Sequence, residues 1–158
     1  MFSCFSLNKT NYVISSSSGA YSTSTGGGSY SSVTNLSASI TVSGNRAVLI
    51  GLVHDDSGSE SSVQMYQPSD VSSTIPQMLW LRVKRGTDVI STFGPGEGNT
   101  AVLYPETTVQ IPLGAVQVLD RPAAGTYTYT VEIGLKESVT TSVAYVNYAK
   151  LLVMEVLY

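Results

Sequence analysis

The chain has 158 residues and a formal net charge of -3 at pH 7, enough length for one domain with a sizeable core and no basic excess to hold nucleic acid or an anionic membrane. Charged residues are 12% of the chain, against roughly 25% in an average soluble domain. A free monomer with so few charges is poorly kept in solution, so part of the surface is expected to be covered by partners.

Residues 1–35 stand apart in composition. Met1 to Tyr12 lacks the basic start and long apolar run of a secretory leader, and no stretch of the chain approaches the roughly 18 apolar residues of a membrane helix. The single cysteine, Cys4, excludes an internal disulfide and suits assembly in a reducing cytoplasm. The glycosylation triplets at Asn8 and Asn35 are then chance matches in a Ser/Thr-rich chain. The run from Ser15 to Ser29 is Ser/Gly-rich and buries too little apolar surface to offset its ordering entropy. Residues 1–35 therefore read as flexible, either a disordered leader or an arm that orders on a partner, the arm with Phe2, Phe5, Leu7, Tyr12 and Val13 as anchors and Tyr21 and Tyr30 as weaker ones.

From Leu36 the pattern becomes that of a domain spanning residues 36–158. Leu36, Ala38, Ile40 and Val42 alternate with Ser37, Ser39 and Thr41, which predicts a half-buried strand ending at the turn Ser43-Gly44-Asn45. The next strand, 46–53, is apolar on both faces and needs cover from the opposite sheet and from something else, most simply another subunit. His54, Asp55, Asp56 and Glu60 lie in a polar loop without the ligand spacing of a calcium or zinc site, so no metal is expected there. Residues 79–93 read as a hairpin turning at Arg85-Gly86-Thr87-Asp88, with Arg82 and Lys84 on a solvent face. Gly94 to Asn99 lacks the Lys-Ser/Thr of a phosphate loop and reads as a connection. Short strands follow at 101–104, 107–111 and 115–119.

The clearest strand is Thr126 to Leu135, with Tyr127, Tyr129, Val131, Ile133 and Leu135 on one face and Thr126, Thr128, Thr130 and Glu132 on the other. Asp120, Pro122 and Gly125 make its entry a corner. Residues 139–146 and 149–158 predict a terminal hairpin around Asn147-Tyr148, and its last strand, like 46–53, is apolar on both sides. The sum is an all-β, antiparallel two-sheet sandwich, best matched by a jelly roll, whose doubly apolar strands form an oligomer contact. Leu49, Leu52, Tyr127, Tyr129, Leu152, Met154 and Val156 are the candidates for subunit interface or core.

Four segments in this order resemble a jelly-roll module of tailed-phage virion proteins. They are Ile40-Thr41-Val42-Ser43-Gly44-Asn45-Arg46-Ala47-Val48, then Leu81 to Thr87, then Leu119-Asp120-Arg121-Pro122-Ala123-Ala124-Gly125-Thr126-Tyr127-Thr128-Tyr129, then Leu151 to Val156. That group is similar to tumour-necrosis-factor-like trimers and occurs in head decoration proteins and at fibre tips. The resemblance spans roughly residues 36–158 and brings no catalytic residues or cofactor. It implies a trimeric cement protein on the capsid surface, assembled in the host cytoplasm and bound to the major capsid protein. A receptor- or glycan-binding tip of a tail fibre is the alternative, permitted by the Tyr-rich loops and Trp80. One histidine, one cysteine and no nucleophile elbow leave no coherent acid, base and nucleophile set, so no enzymatic activity is expected.

Overall fold

The computed structural model describes residues 11–25, 27–44, 46–66, 79–93, 108–111, 113–135 and 143–157. These form β1 (Tyr12–Ile14), β2 (Ala20–Thr23), β3 (Ser31–Val42), β4 (Arg46–His54), β5 (Ser62–Tyr66), β6 (Leu79–Arg85), β7 (Asp88–Phe93), β8 (Thr108–Ile111), β9 (Gln117–Asp120), β10 (Gly125–Leu135), β11 (Val143–Asn147) and β12 (Ala149–Leu157), with one 3₁₀ turn at Leu113–Ala115. Every strand pair among them is antiparallel.

Hydrogen-bonded order gives β1-β12-β4-β9, β2-β11-β5-β8 and β3-β10-β6-β7. The first two sets are one sheet, because each strand of one continues along the chain into the matching strand of the other. The ladder carries across the join: Ser15 N donates to Leu151 O, Ser18 N to Ala149 O, Tyr148 N to Gly19 O, Asp55 N to Tyr148 O and Leu52 N to Val116 O, all between 2.8 and 3.1 Å. Two buried serine hydroxyls complete the bend. The Ser15 hydroxyl accepts from Leu151 N at 2.9 Å and the Ser18 hydroxyl from Ala149 N at 3.2 Å, each standing in for a carbonyl that has turned away.

Joined this way the chain has eight long strands, in the sheet orders 1-8-3-6 and 2-7-4-5. The pairs 1 with 8, 2 with 7, 3 with 6 and 4 with 5 are all hydrogen-bonded neighbours. That is the pairing of a long double strand rolled into two sheets, a jelly roll, as the turn-punctuated sequence predicts.

The core lies between the sheets. β3 contributes Leu36, Ala38, Ile40 and Val42, β10 contributes Tyr129, Val131, Ile133 and Leu135, and β6 contributes Leu79, Leu81 and Val83. Facing them are Val48, Ile50 and Leu52 of β4 and Leu151 and Val153 of β12. The alternations read from sequence at 36–42 and 126–135 are the ones observed, and the 79–93 hairpin turns at Gly86 with φ 57°.

Two expectations differ from the structure. Residues 143–157 do not form a hairpin: β11 and β12 pair with other strands and run on through Tyr148, whose φ of 47° bends the strand without reversing it. A single left-handed residue kinks a strand, whereas a reversal needs two central turn residues. Of the expected arm 1–35, the described residues 11–25 and 27–35 are built into the sheets, with β1 on β12, β2 on β11 and β3 starting at Ser31. Their Ser/Gly composition supplies few apolar side chains, but the open edges of β11 and β12 supply backbone partners, and hydroxyls fill the remaining positions. The expected strand at 101–104 lies outside the described residues.

Candidate functional site

In β12 the odd positions Ala149, Leu151 and Val153 face the core, which turns Lys150, Leu152, Met154 and Val156 outward. In β4 the even positions Val48, Ile50 and Leu52 face the core, which turns Leu49, Gly51 and Val53 outward. Register then aligns apolar side chains across the outer surface of the bent sheet. Tyr12 of β1 pairs with Met154, Met154 with Leu49, and Leu49 with Leu119 of β9. The adjacent row runs Ile14, Leu152, Gly51, Gln117. Its ends stand out into solvent, with Tyr12 59%, Ile14 48% and Leu119 51% exposed, while Leu49, Leu152, Met154 and Val156 are half-buried. A contiguous apolar sheet face of this kind marks an interaction surface.

The sequence-derived candidates divide on this geometry. Leu52 and Tyr129 are core, and Tyr127 is partly buried against it, its hydroxyl donating to Ala123 O at 3.0 Å. Leu49, Leu152, Met154 and Val156 are on the outer face. Tyr12 joins them there, while Val13 points inward and packs on the core. Phe2, Phe5 and Leu7 lie outside the described residues. Ile14 and Leu119 were not singled out by sequence; the apolar triplet Tyr12-Val13-Ile14 amid serines is the signal that points to the former.

The outer face of the other sheet is polar. Thr41 pairs with Thr126 at 2.9 Å, Ser39 with Thr128 at 2.7 Å and Ser37 with Thr130 at 3.4 Å, so cross-strand hydroxyls satisfy one another. Beyond them Arg82 and Lys84, expected on a solvent face, converge on the buried Glu132 at 2.5 and 3.3 Å. The Arg82 guanidinium also covers the Tyr30 ring at 3.9 Å, and Tyr30 stacks on Trp80 with centroids 6.2 Å apart. At the end of the sandwich, Asp120 of the bent sheet takes Arg85 through both oxygens at 2.9 and 3.2 Å and the Tyr129 hydroxyl at 2.8 Å, latching the two sheets together.

Burial pushes the Glu132 carboxyl up, but the hydrogen bond and charge of Arg82, followed by those of Lys84, outweigh it and hold its pKa below the ordinary 4.5. Hydrogen bonds from Ser17 and Ser57 lower Asp55, and one from Ser43 lowers Glu155. A carboxyl whose folded pKa is depressed stabilises the fold fully above its unfolded pKa, and that contribution is lost as pH falls through the folded value. The melting temperature should therefore stay level down to about pH 5 and fall below about pH 4. Circular-dichroism melts across this range should show a shallower acid decline for Glu132→Gln, and an equally steep one removes Glu132 as a source.

Among the described residues no cluster of His, Cys, Asp and Glu is suited to hold a metal ion, and no helix is long and apolar enough to cross a membrane. His54 is exposed at the end of β4, and the neighbouring Asp55 and Asp56 are engaged by Ser17, Ser57 and Lys150. Cys4 lies outside the described residues.

No family model matches the sequence, and no curated protein matches it. Solved structures do. The chain aligns with one from the crystallised T13 viral particle of IBDV, infectious bursal disease virus, at 13% identity and TM-score 0.52, over 96% of this chain and 32% of that one. The jelly roll is shared with a virus-particle protein. A chain from the Gt strain of the same virus aligns at 12% identity and TM-score 0.49, over 96% of this chain and 34% of its own, and adds no further argument. This chain thus spans about one third of the length of the virus-particle chains it resembles. At such identities the likeness concerns the fold alone: it agrees with the virion jelly roll that the sequence motifs suggest and is not specific to the tailed-phage, tumour-necrosis-factor-like module.

Proposed function

We propose that the protein is a structural component of a virus particle, a cement protein that sits as a homotrimer on a phage head and reinforces the lattice of the major capsid protein. The observation that carries this reading is the uncharged outer row Tyr12, Met154, Leu49, Leu119: a surface built for permanent contact, on a fold shared with a virus-particle protein. β1 is an edge strand that begins at Tyr12, and in this reading residues 1–10, with Phe2, Phe5 and Leu7, supply a further contact onto neighbouring subunits. Repetition of weak contacts over three copies gives retention by avidity. No catalytic role, cofactor, nucleic acid or membrane enters this reading.

A tail-fibre tip, the alternative, would use exposed aromatic faces for a glycan. Trp80 is half-buried and stacked on Tyr30, and Tyr12, the most exposed aromatic among the described residues, lies within the apolar row, which favours the cement reading.

The test is co-sedimentation of the purified protein with phage heads that lack it. Saturable binding is expected, and removal of residues 1–10, which leaves β1 whole, should lower occupancy at least about tenfold if the arm contributes one or more kcal/mol per copy. Absence of head binding together with adsorption to host cells or to a glycan array transfers the protein to the fibre.

A further inference from the structure

We infer that the outer face of the polar sheet, β3-β10-β6-β7, binds an acidic saccharide, with Arg82 and Lys84 taking its carboxylate. This lies beyond the cement reading, which uses the opposite face of the sandwich. Three observations carry it. The first is charge with donors to spare. Arg82 and Lys84 share the single carboxylate of Glu132, so the cluster keeps one positive charge on a chain whose net charge is -3. Glu132 takes the Arg82 Nε at 2.5 Å and one Lys84 N–H at 3.3 Å. The two Nη groups of the guanidinium and the remaining N–H bonds of the ammonium meet no acceptor among the described residues. The Tyr30 ring, 3.9 Å from the guanidinium carbon, holds that group in place, so a fork suited to an oxyanion is set before one arrives. At 26% and 21% side-chain exposure both cations are reachable from solvent.

The second is the trough beside them. Along the outer side of β10 run Thr126, Thr128, Thr130 and Glu132, with the hydroxyls of β3 on one flank and Lys84 and Arg82 of β6 on the other. The strip closes where Ser29 and Tyr30 cross above Gly134 and Tyr30 stacks on Trp80. Its three cross-strand hydroxyl pairs span about 14 Å along the strands. Each hydroxyl has one hydrogen and two lone pairs, so a mutual hydrogen bond leaves every pair one free hydrogen and three free lone pairs. These suit the hydroxyls of a sugar.

The third is the count of charges. One excess cation accepts one carboxylate, and an acidic peptide with a carboxylate on every residue would press the others against Glu132 and the uncharged hydroxyls, where nothing offsets their desolvation. A sugar chain with a uronic acid at every second unit brings one carboxylate among hydroxyls, the complement of one excess cation among hydroxyls. Stacking plays no part, since Tyr30 already lies between Arg82 and Trp80.

Trp80, the single tryptophan, borders the trough, so its emission reads titrations with a hyaluronan hexasaccharide, neutral chitohexaose, hexaglutamate and sodium sulfate. Saturable binding of the hexasaccharide is expected, weakening between about 50 and 500 mM salt, with chitohexaose and hexaglutamate far weaker. Lys84→Gln, with unchanged circular dichroism, should weaken the hexasaccharide about tenfold, the worth of one hydrogen bond to a charged group. Thr128→Val should weaken it about threefold and leave sulfate unchanged, and Glu132→Gln, which removes the internal competitor for both cations, should tighten it. Lys150→Gln, on the opposite sheet, should bind like the wild type. Sulfate bound without the hexasaccharide, hexaglutamate bound as tightly as the hexasaccharide, or no loss in Lys84→Gln overturns the proposal. Co-sedimentation with heads on the same samples keeps the two readings apart. Heads bound without the saccharide ends this inference alone, and the saccharide bound without heads ends the cement reading alone.

Discussion

Replacing Tyr129 with Ala should lower the unfolding free energy by about 3–5 kcal/mol, the range for truncating a fully buried aromatic ring. Tyr129 is 0% exposed, in the middle of β10, with Ala38 of β3 and Arg85 of β6 as its cross-strand partners. Its hydroxyl crosses to the other sheet and donates to Asp120, which also holds Arg85. Ala therefore removes packing and the latch together. Phe keeps the ring and removes the latch, and because Asp120 retains Arg85 and the Arg121 amide, that change should cost about 1.5–3 kcal/mol, the worth of a hydrogen bond to a charged group. Burial first, and then the Asp120 hydrogen bond and charge, push the Tyr129 pKa well above the ordinary 10.0. The fold thus favours the neutral phenol. Its contribution is complete below about pH 10 and is lost as pH rises toward the folded value, so the wild type should lose stability above pH 10 more steeply than Tyr129→Phe. Urea unfolding with unchanged m-values measures all three quantities, and a Tyr129→Ala cost under about 1 kcal/mol takes the residue out of the core.

What the sequence disclosed follows from how local each cause is. The alternation of β3 and β10 and the turn at Gly86 are written into adjacent residues, so strand, face and reversal could all be read there. β1 and β2 could not, because their order comes from the free edges of β12 and β11, more than a hundred residues away, and from the Ser15 and Ser18 hydroxyls accepting amides of Leu151 and Ala149. A serine-rich stretch looks flexible wherever the partner that satisfies it is distant. Asn147-Tyr148 looked like a reversal for a related reason: a break in pattern is visible in sequence, but whether the chain bends or returns depends on what its flanks pair with. The outer face was half legible. Doubly apolar strands marked Leu49, Leu152, Met154 and Val156, yet only register across four strands puts Tyr12 and Leu119 in their row. The same limit applies to Arg82 and Lys84, whose apparent exposure ends once Glu132 of the neighbouring strand is placed between them.

Gly134→Ala is expected to destabilise the fold by about 2–3 kcal/mol, a large effect for one methyl group. Gly134 lies opposite Trp80 on the outward side of β10, where the chain entering β3 crosses it, tied by Leu135 N to Thr25 O at 3.0 Å and Gly28 N to Leu135 O at 3.3 Å. An added Cβ would sit 2.2 Å from the Ser29 carbonyl oxygen and 3.3 Å from the Tyr30 Cα. Both are backbone atoms, so no rotamer change relieves the contact and the crossing segment must lift. Lifting it withdraws Tyr30 from Trp80 and from Arg82 and opens the cover over Glu132. Ala in a strand otherwise gains about 0.5–1 kcal/mol over Gly through the unfolded chain, so the clash must exceed that gain for the sign to be negative, and a backbone overlap of this depth does. Gly44→Ala is the control, since its Cβ would meet nothing nearer than the Ala124 Cβ at 3.9 Å, and its stability should change by less than about 0.5 kcal/mol. Trp80 is the single tryptophan, so its emission reports the lift directly. A shifted spectrum with lost stability in Gly134→Ala alone is the expected pair of results. If the two variants melt together with the wild-type spectrum, the crossing of 27–30 over β10 is not what seals that end of the sandwich.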